Sequence, residues 1–219
     1  FAYTFSPSAS IDTYEVNLVV STNFGCTDST RDSVFVVVNP VADIHIVNDS
    51  TCQGDTVFFT RGDIEYDGPG GIAYRTLFGD GDSDGVPFPK HVYALSGKYH
   101  VTGVLTAIDY GCRDTAYDSV TIFQRPTADF SASGLLIGDS VSFTNLTTGG
   151  LTPYSSNWNF DNSLTSTRLN PKSWYTAKGL YDVELVLNDA NGCKDTALKT
   201  IEIFDIDVGL DSIINPSTA

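Results

Sequence analysis

Alternation of apolar and polar residues is the clearest regular pattern in this chain, and it has the two-residue period of half-buried β-strands. Between Tyr181 and Leu187 every second residue is apolar, while polar or charged residues such as Asp182 and Glu184 fill the positions between them. Residues 33–38 form a run rich in valine, which is typical of a strand. We find no apolar spacing of three to four residues that would indicate an amphipathic helix. The pattern predicts an all-β protein.

A longer unit occurs three times: a strand, a short polar turn, the dipeptide Gly-Cys and a second strand. The three dipeptides end at Cys26, Cys112 and Cys193, so 86 residues and then 81 residues separate successive cysteines. This period is typical of a small β-sandwich domain and is too long for a solenoid repeat. The second copy has one residue more between its tyrosine and its cysteine, and we predict a β-bulge at Gly103.

Short junctions that contain proline separate the predicted modules. Asn39-Pro40 and Arg125-Pro126 each precede a new strand, and proline is tolerated at strand edges because no ladder donor is needed there. Such short linkers restrict bending, so the modules are expected to form a rod. We divide the chain into four parts: the C-terminal half of a module (1–39), two complete modules (40–125 and 126–205) and the first strand of a following β-domain (206–219).

The charge of the chain limits its partners. Its 219 residues include 27 acidic and 12 basic side chains, a formal net charge of −15, which argues against binding to nucleic-acid phosphates. The charge suits a solvated, self-repelling surface, and it also suits divalent cations. No apolar run is long enough to span a membrane, and we see no signal peptide. Because the chain starts in mid-pattern without Met, we expect it to belong to a longer polypeptide.

Three separated motifs of the second module resemble the signature of PKD domains. Residues 78–81 (Phe-Gly-Asp-Gly) are followed by residues 89–93 (Pro-Lys-His-Val-Tyr) and then by residues 97–101 (Gly-Lys-Tyr-His-Val). The third module departs from this signature, with residues 161–163 (Asp-Asn-Ser) in the glycine-rich turn and Ser173 in the histidine position. The resemblance implies tandem immunoglobulin-like β-sandwiches, extracellular placement and a spacer or binding role.

The turn Gly-Cys-x-Asp-[Thr/Ser] is similar to one found in long cell-surface proteins of Bacteroidetes, including gliding-motility-associated adhesins exported by type IX secretion. This resemblance implies an extracellular, cell-surface location. The implied partners are neighbouring domains of the same chain, secretion or outer-membrane anchoring machinery, and a surface polysaccharide or protein ligand. No catalytic motif is repeated, so we interpret the chain as a non-catalytic stalk. The alternative is a set of accessory carbohydrate- or protein-binding modules of a secreted hydrolase.

The cysteines are predicted to include one disulfide, between Cys52 and Cys112. When the two complete modules are aligned, Leu136 lies opposite Cys52, so only the second module has two cysteines. The bond would stabilise the fold by about 4 kcal/mol and would indicate an oxidising compartment. A zinc site is the alternative, but Cys-x-x-Cys pairs are missing. We expect Cys26 to bond outside this chain and Cys193 to be a lone thiol near Leu136.

Residues 80–85 (Asp-Gly-Asp-Ser-Asp-Gly) match the first half of an EF-hand-type calcium loop, in which alternate carboxylates converge on the ion. The candidate ligands are Asp80, Asp82 and Asp84, and calcium is the one candidate cofactor. His91 stands where the loop would need its closing glutamate. The alternative interpretation is the ordinary turn of the family with additional acidic residues.

Asp followed by Ser or Thr and then by an apolar residue or Thr recurs along the chain. The pattern resembles the O-glycosylation acceptor sequence of exported Bacteroidetes proteins, with Ser33, Thr115 and Thr196 as the foremost candidates. The alternative is that this sequence favours the start of a strand. Trp174 and Tyr175 could stack on a sugar, although aromatic side chains in strands more often belong to the core.

Overall fold

The computed structural model describes residues 2, 12–62, 66 and 70–205, so the predicted strand within 206–219 lies outside the described residues. Every regular element in the described residues is a β-strand, and the prediction of an all-β protein is confirmed. The strands are β1 (Asp12–Ser21), β2 (Thr27–Val36), β3 (His45–Ile46), β4 (Ser50–Cys52), β5 (Thr56–Thr60), β6 (Ile72–Leu77), β7 (Ser83–Asp84), β8 (Lys90–Val92), β9 (Gly97–Ala107), β10 (Arg113–Phe123), β11 (Phe130–Ser133), β12 (Ser140–Asn145), β13 (Ser155–Asn159), β14 (Thr165–Ser166), β15 (Lys172–Trp174), β16 (Gly179–Asn188) and β17 (Lys194–Ile203).

The chain separates into two compact units, residues 1–122 and 123–219. The first unit holds a hairpin (β1–β2) and the second module (β3–β10), and the second unit holds the third module (β11–β17). Among the described residues, no helix is long and apolar enough to cross a membrane.

The second module is a sandwich of two sheets. One sheet has the strand order β3-β5-β8, and the other has the order β4-β10-β9-β6-β7. Alternation along the strands directs Val57 and Phe59 of β5, Val101 of β9 and Val120 of β10 into one shared core. The two-residue period therefore determines which side chains are removed from water.

The third module repeats this architecture with the sheets β11-β12-β15 and β14-β13-β16-β17. Its core is more aromatic, because the Trp158 ring lies 5.1 Å from Phe130 and 5.6 Å from Phe143, measured between ring centroids. Val183, Leu185 and other alternate residues of β16 are fully buried beneath these rings. The tandem immunoglobulin-like fold expected from the sequence is confirmed.

The additional residue of the second module lies in a turn, and the predicted bulge at Gly103 is wrong. The register between β9 and β10 is unbroken, with Gly103 opposite Ala116. The turn that Ala107 closes by donating to the Cys112 carbonyl (2.9 Å) contains one residue more than the equivalent turn of the third module. A Cβ atom at Gly103 would lie 3.2 Å from the Ile44 Cβ, so glycine provides space for core packing.

The first hairpin pairs β1 with β2 in ten consecutive residue pairs, from Asp12 opposite Val36 to Ser21 opposite Thr27. Nearly all of its side chains are exposed. The Phe35 ring of the hairpin lies 5.9 Å from the Tyr110 ring in the β9–β10 turn of the second module.

Candidate functional site

The glycine-rich turn of the second module is organised around Phe78. The Phe78 N–H donates to the Asp82 carbonyl (3.0 Å), and the Phe78 carbonyl accepts a bond from the Tyr93 hydroxyl (3.0 Å). The Asp82 N–H donates to Oδ1 of Asp80 (3.1 Å), and Nε2 of His91 lies 2.6 Å from Oδ2 of Asp80. The His91 ring stacks on Phe78 with 4.2 Å between centroids. All four side chains and the backbone of the turn thus form one network.

The electrostatics of this network favour an ionised Asp80. Burial alone would raise the pKa of Asp80, but the hydrogen bonds from His91 and from the Asp82 N–H outweigh burial and hold this pKa below its ordinary value. Burial raises the pKa of Tyr93, and the negative charge of Asp80 raises it further, so the hydroxyl stays a donor. Asp80 therefore acts as a hydrogen-bond acceptor, and the Tyr93 hydroxyl acts as a donor.

Gly79 is required by the geometry of the turn. Its φ is +87°, and a Cβ atom there would lie only 2.4 Å from the His100 carbonyl oxygen. A side chain at this position would therefore have to displace the backbone of β9. Glycine at this position therefore allows the turn after β6 to approach the neighbouring strand β9 closely.

In the third module an uncharged side chain takes the place of Asp80 in the same turn. Asn162 takes the place of Asp80, since its Oδ1 accepts the Leu164 N–H (3.1 Å). Its Nδ2 donates to the Ser173 hydroxyl (3.1 Å) and to the Trp174 carbonyl (2.9 Å). The departures from the PKD signature at these positions are therefore paired, because an amide and a hydroxyl replace a carboxylate and an imidazole.

The three candidate calcium ligands do not converge. Oδ1 of Asp82 accepts the N–H of the next residue (2.8 Å), Oδ1 of Asp84 accepts the Val86 N–H (3.0 Å), and Oδ2 of Asp80 is engaged by His91. In the part of the chain that the structure describes, no group of three or more His, Cys, Asp or Glu side chains could hold a metal ion. The carboxylates fix the backbone of their own loop, and this geometry gives the calcium prediction no support.

The predicted disulfide between Cys52 and Cys112 is wrong. Cys52 and Cys193 are each disulfide-bonded, whereas Cys26 and Cys112 are free thiols. The expectation of a lone thiol at Cys193 is therefore wrong as well. An oxidising compartment remains the consequence, because disulfides persist in secreted and extracellular proteins.

The separation of the two cysteines within the second module explains the error. Cys52 ends β4, which lies along the C-terminal part of β10, where the Thr121 N–H donates to the Asp49 carbonyl (2.8 Å). Cys112 directly precedes β10, a strand of 11 residues. At about 3.3 Å per residue the two Cα atoms lie at opposite ends of the strand, beyond the limit of about 7 Å for a disulfide.

The aspartate of the repeated Gly-Cys-x-Asp turn has a structural role that we did not predict. Oδ2 of Asp114 accepts the Ala42 N–H (2.8 Å), and Oδ2 of Asp195 accepts the Ala128 N–H (2.7 Å). Each alanine is the second residue after the junction proline of its module. The last hairpin of a module therefore holds the first segment of the same module. The joint recurrence of Pro-x-Ala and Cys-x-Asp was the available sequence signal.

The three candidate glycosylation sites are exposed side chains on strands. Ser33 lies in β2, Thr115 in β10 and Thr196 in β17. Thr115 and Thr196 directly follow the aspartates that hold the first segments. The sites are accessible, and their glycosylation stays a prediction.

Of the two aromatic side chains that could stack on a sugar, one is accessible. Tyr175 is only 1% exposed and donates its hydroxyl to the Phe160 carbonyl (3.0 Å), so it belongs to the core. Trp174, the preceding residue and the last of β15, is 56% exposed. An aromatic platform on the third module would therefore consist of Trp174.

With this geometry established, both complete modules match the PKD domain family, the second over residues 37–122 and the third over residues 124–203. The chain belongs to the PKD domain family and carries two such domains in tandem. Both are non-catalytic domains.

Solved structures include similar domains. The PKD1 domain of Vibrio anguillarum Epp is 31% identical, and the match covers 37% of this chain and 95% of that domain with a TM-score of 0.33. The PKD1 domain of the Vibrio cholerae metalloprotease PrtV is 34% identical, with coverage of 36% and 96% and a TM-score of 0.33. The eight N-terminal immunoglobulin domains of the Down syndrome cell adhesion molecule are 12% identical, with coverage of 89% and 31% and a TM-score of 0.44. No curated protein matches the chain.

PKD domains of this kind occur in bacterial secreted proteins such as metalloproteases. Together with the disulfide-bonded cysteines, they indicate a secreted or extracellular protein.

Proposed function

We propose that this chain is a non-catalytic spacer segment of a large secreted protein on the cell surface. The observation that carries the proposal is the use of the polar motifs within the two PKD domains. The Asp80–His91 pair, the Asn162 amide and the Asp114 and Asp195 carboxylates all bind groups of their own module. These motifs hold a fold together, which is the task of a structural module.

The repeated Gly-Cys-x-Asp turn supports a finer proposal, that the parent protein is an adhesin of the gliding-motility type exported by type IX secretion. Its partners would then be neighbouring domains of the same chain and the secretion or anchoring machinery at the outer membrane. Glycans on Ser33, Thr115 and Thr196, whose side chains are exposed, fit this location. Intact mass of the protein from its native host tests this part, because hexose-sized increments are expected and a bare mass would contradict it.

A domain replacement tests the spacer role. Residues 124–203 are deleted in the native host or replaced by an unrelated immunoglobulin-like domain of equal length. A spacer requires length and not sequence, so the deletion should weaken surface adhesion or motility and the replacement should restore it. Export is measured in parallel by surface labelling. Failure of the replacement, with export intact, would show that the third module contributes specific contacts and is not a spacer.

The exposed indole of Trp174 favours a second candidate, an accessory domain that binds polysaccharide or protein. Stacking on an aromatic face typically contributes about 1 kcal/mol. Sedimentation of the chain with insoluble chitin or collagen should then decrease with Trp174→Ala and stay unchanged with Leu180→Ala, which removes another exposed apolar side chain. Equal sedimentation of both variants would exclude Trp174 as the contact.

A further inference from the structure

The first hairpin is equivalent, residue by residue, to the last hairpin of the third module and, apart from one added turn residue, to that of the second module. Val34 lies eight residues after its Gly-Cys cysteine, as do Val120 of the second module and Ile201 of the third. Val120 is 0% exposed and Ile201 is 8% exposed, but Val34 is 38% exposed. An apolar position that both complete modules bury is thus open to solvent in the hairpin.

The other strand of the hairpin shows the same difference. Val16 is equivalent to Val183 and Leu18 to Leu185 when the hairpins are aligned on their tyrosines. Both residues of the third module are 0% exposed, whereas Val16 is 45% exposed and Leu18 is 59% exposed. The exposed residues alternate along β1 and share one face with Val34 of β2, since Leu18 and Val34 both occupy core-facing positions of the repeat.

In the second module this face is covered by the strands that precede the hairpin. Val57 and Phe59 of the β3-β5-β8 sheet pack against it, and β6 pairs along the outer edge of β9. In the hairpin, β1 is paired with β2 alone within the described residues. The apolar face and both outer edges of the hairpin are therefore not covered by any other described residues.

Two aspartates of the hairpin indicate which kind of segment this face would bind. In the second module Oδ1 of Asp118 accepts the N–H of the next residue (2.7 Å), and Oδ2 accepts the Ile46 N–H of the first segment (3.1 Å). Asp32 is equivalent to Asp118 and has the same local bond, from the Ser33 N–H to Oδ1 (2.8 Å). Among the described residues, nothing donates to Oδ2 of Asp32.

Asp28, four residues earlier in β2, has the same arrangement. It is equivalent to Asp114, whose Oδ2 holds the Ala42 N–H (2.8 Å), and its own Oδ1 accepts the Ser29 N–H (2.9 Å). Within the described residues its Oδ2 likewise receives no bond. Two acceptors thus stand at the spacing from which a complete module binds the backbone of its first segment.

We propose that the inner face of the β1–β2 hairpin is a docking surface for the front half of a further PKD module. This surface consists of Val16, Leu18 and Val34 with the carboxylates of Asp28 and Asp32. The occupant is a sheet with the chemistry of β3-β5-β8, an edge strand like β6 and a first segment whose N–H groups reach the two carboxylates. It belongs to the same polypeptide, because in both complete modules the covering strands directly precede the hairpin. The proposal requires the PKD fold and does not depend on the spacer role.

Hydrogen exchange of the complete gene product tests this assignment against the 219-residue chain. In the complete product, amides of β1 and β2 should exchange ~100-fold more slowly than in the 219-residue chain, because covered strands open only with their module. Protection of β9–β10 and β16–β17, which are already covered, should be equal in the two samples. Equal, fast exchange of the hairpin in both samples would overturn the proposal.

Matched variants of the complete product locate the surface. Leu18→Asp should abolish the added protection of the hairpin, whereas Val19→Asp should keep it, since Val19 is equally exposed but lies on the opposite face. Asp32→Ala should reduce the protection, and Arg31→Ala should not. Equal effects of Leu18→Asp and Val19→Asp would contradict the assignment of the docking surface to this face. Sedimentation of the 219-residue chain supplies a separate check, because dimerisation that Leu18→Asp abolishes would assign the face to a second copy and overturn the proposal.

Discussion

The second and third modules fold alike but close their glycine-rich turns with different chemistry. The second uses the carboxylate of Asp80, which lies 2.6 Å from the His91 ring nitrogen, and the third uses the uncharged amide of Asn162, bonded to Ser173. In both modules the side-chain oxygen of Asp80 or Asn162 accepts the backbone N–H of the residue two positions later in the chain (3.1 Å in each). The turn therefore needs an acceptor at this position, and that acceptor can be a carboxylate or an amide oxygen.

The backbone of the turn differs in the same way. Gly79 and Gly81 of the second module have positive φ, and the equivalent Asp161 and Ser163 have φ of 58° and 68°. Positive φ is unfavourable for residues other than glycine. Asp161 compensates by accepting the Asp182 N–H at its Oδ2 (3.1 Å). A strained residue can thus replace glycine where its side chain gains a bond.

The largest expected effect contrasts the cores of the two modules. Trp158→Ala should destabilise the third module by about 4 kcal/mol, because it leaves a large cavity among aromatic rings. Thr76→Ala, at the equivalent and buried position of the second module, should have an effect of about 1 kcal/mol. Calorimetry of the chain measures both. Similar losses would show that the aromatic core is not the main stabilising feature of the third module.

Exchanging the residues of the two turns gives the next effect. Gly79→Ala should destabilise the second module by about 3 kcal/mol, because its Cβ atom would meet the His100 carbonyl. Asp161→Gly removes one bond but relieves positive φ, so its net effect should stay within about 1 kcal/mol. Urea unfolding measures both changes. A neutral Gly79→Ala would mean that β9 can shift, and that the close approach is not required.

The charged turn should make the second module sensitive to acid. The pKa of Asp80 is lower in the folded state, so its stabilisation is complete above the ordinary aspartate pKa of about 3.9 and is lost as the pH falls through the lower folded value. Asp80→Asn should flatten this dependence, as measured by hydrogen exchange of β9 between pH 3 and pH 6. The comparison is made within the second module, because Lys199 also lowers the pKa of Asp129 in the third. An unchanged pH dependence would exclude the Asp80–His91 pair as its source.

The smallest effect concerns a feature that the modules share. Asp114→Ala and Asp195→Ala should each destabilise their own module by about 1 kcal/mol, since each leaves one N–H of the first segment without its acceptor. The Ala42 amide should exchange faster only in Asp114→Ala, and the Ala128 amide should exchange faster only in Asp195→Ala. An increase of both amides in either variant would show that the contact is not local.

The sequence contained enough to predict the fold, since alternation as in β16 shows which side chains enter the core and the Phe-Gly-Asp-Gly motif marks the turn. The disulfide prediction failed because it depends on the arrangement of the strands. The Cys52–Cys112 pairing depends on which ends of β4 and β10 lie together, and spacing along the chain does not carry that information. The calcium prediction at 80–85 gains no support from the structure, because the carboxylates of this loop accept backbone N–H groups.

The contact between the first segment and the last strand has a mechanical consequence. In the second module Ala42, Ile46 and Asp49 contact Asp114, Asp118 and Thr121 in the same order, so the two segments run parallel. The third module has a parallel bridge between Leu136 and Phe204. A pull on the two ends of one module therefore slides these segments past each other in opposite directions. Under such shear all the hydrogen bonds between the two segments bear the load at once. In a hairpin that is pulled apart from its open end, the bonds would instead break one after another at lower force.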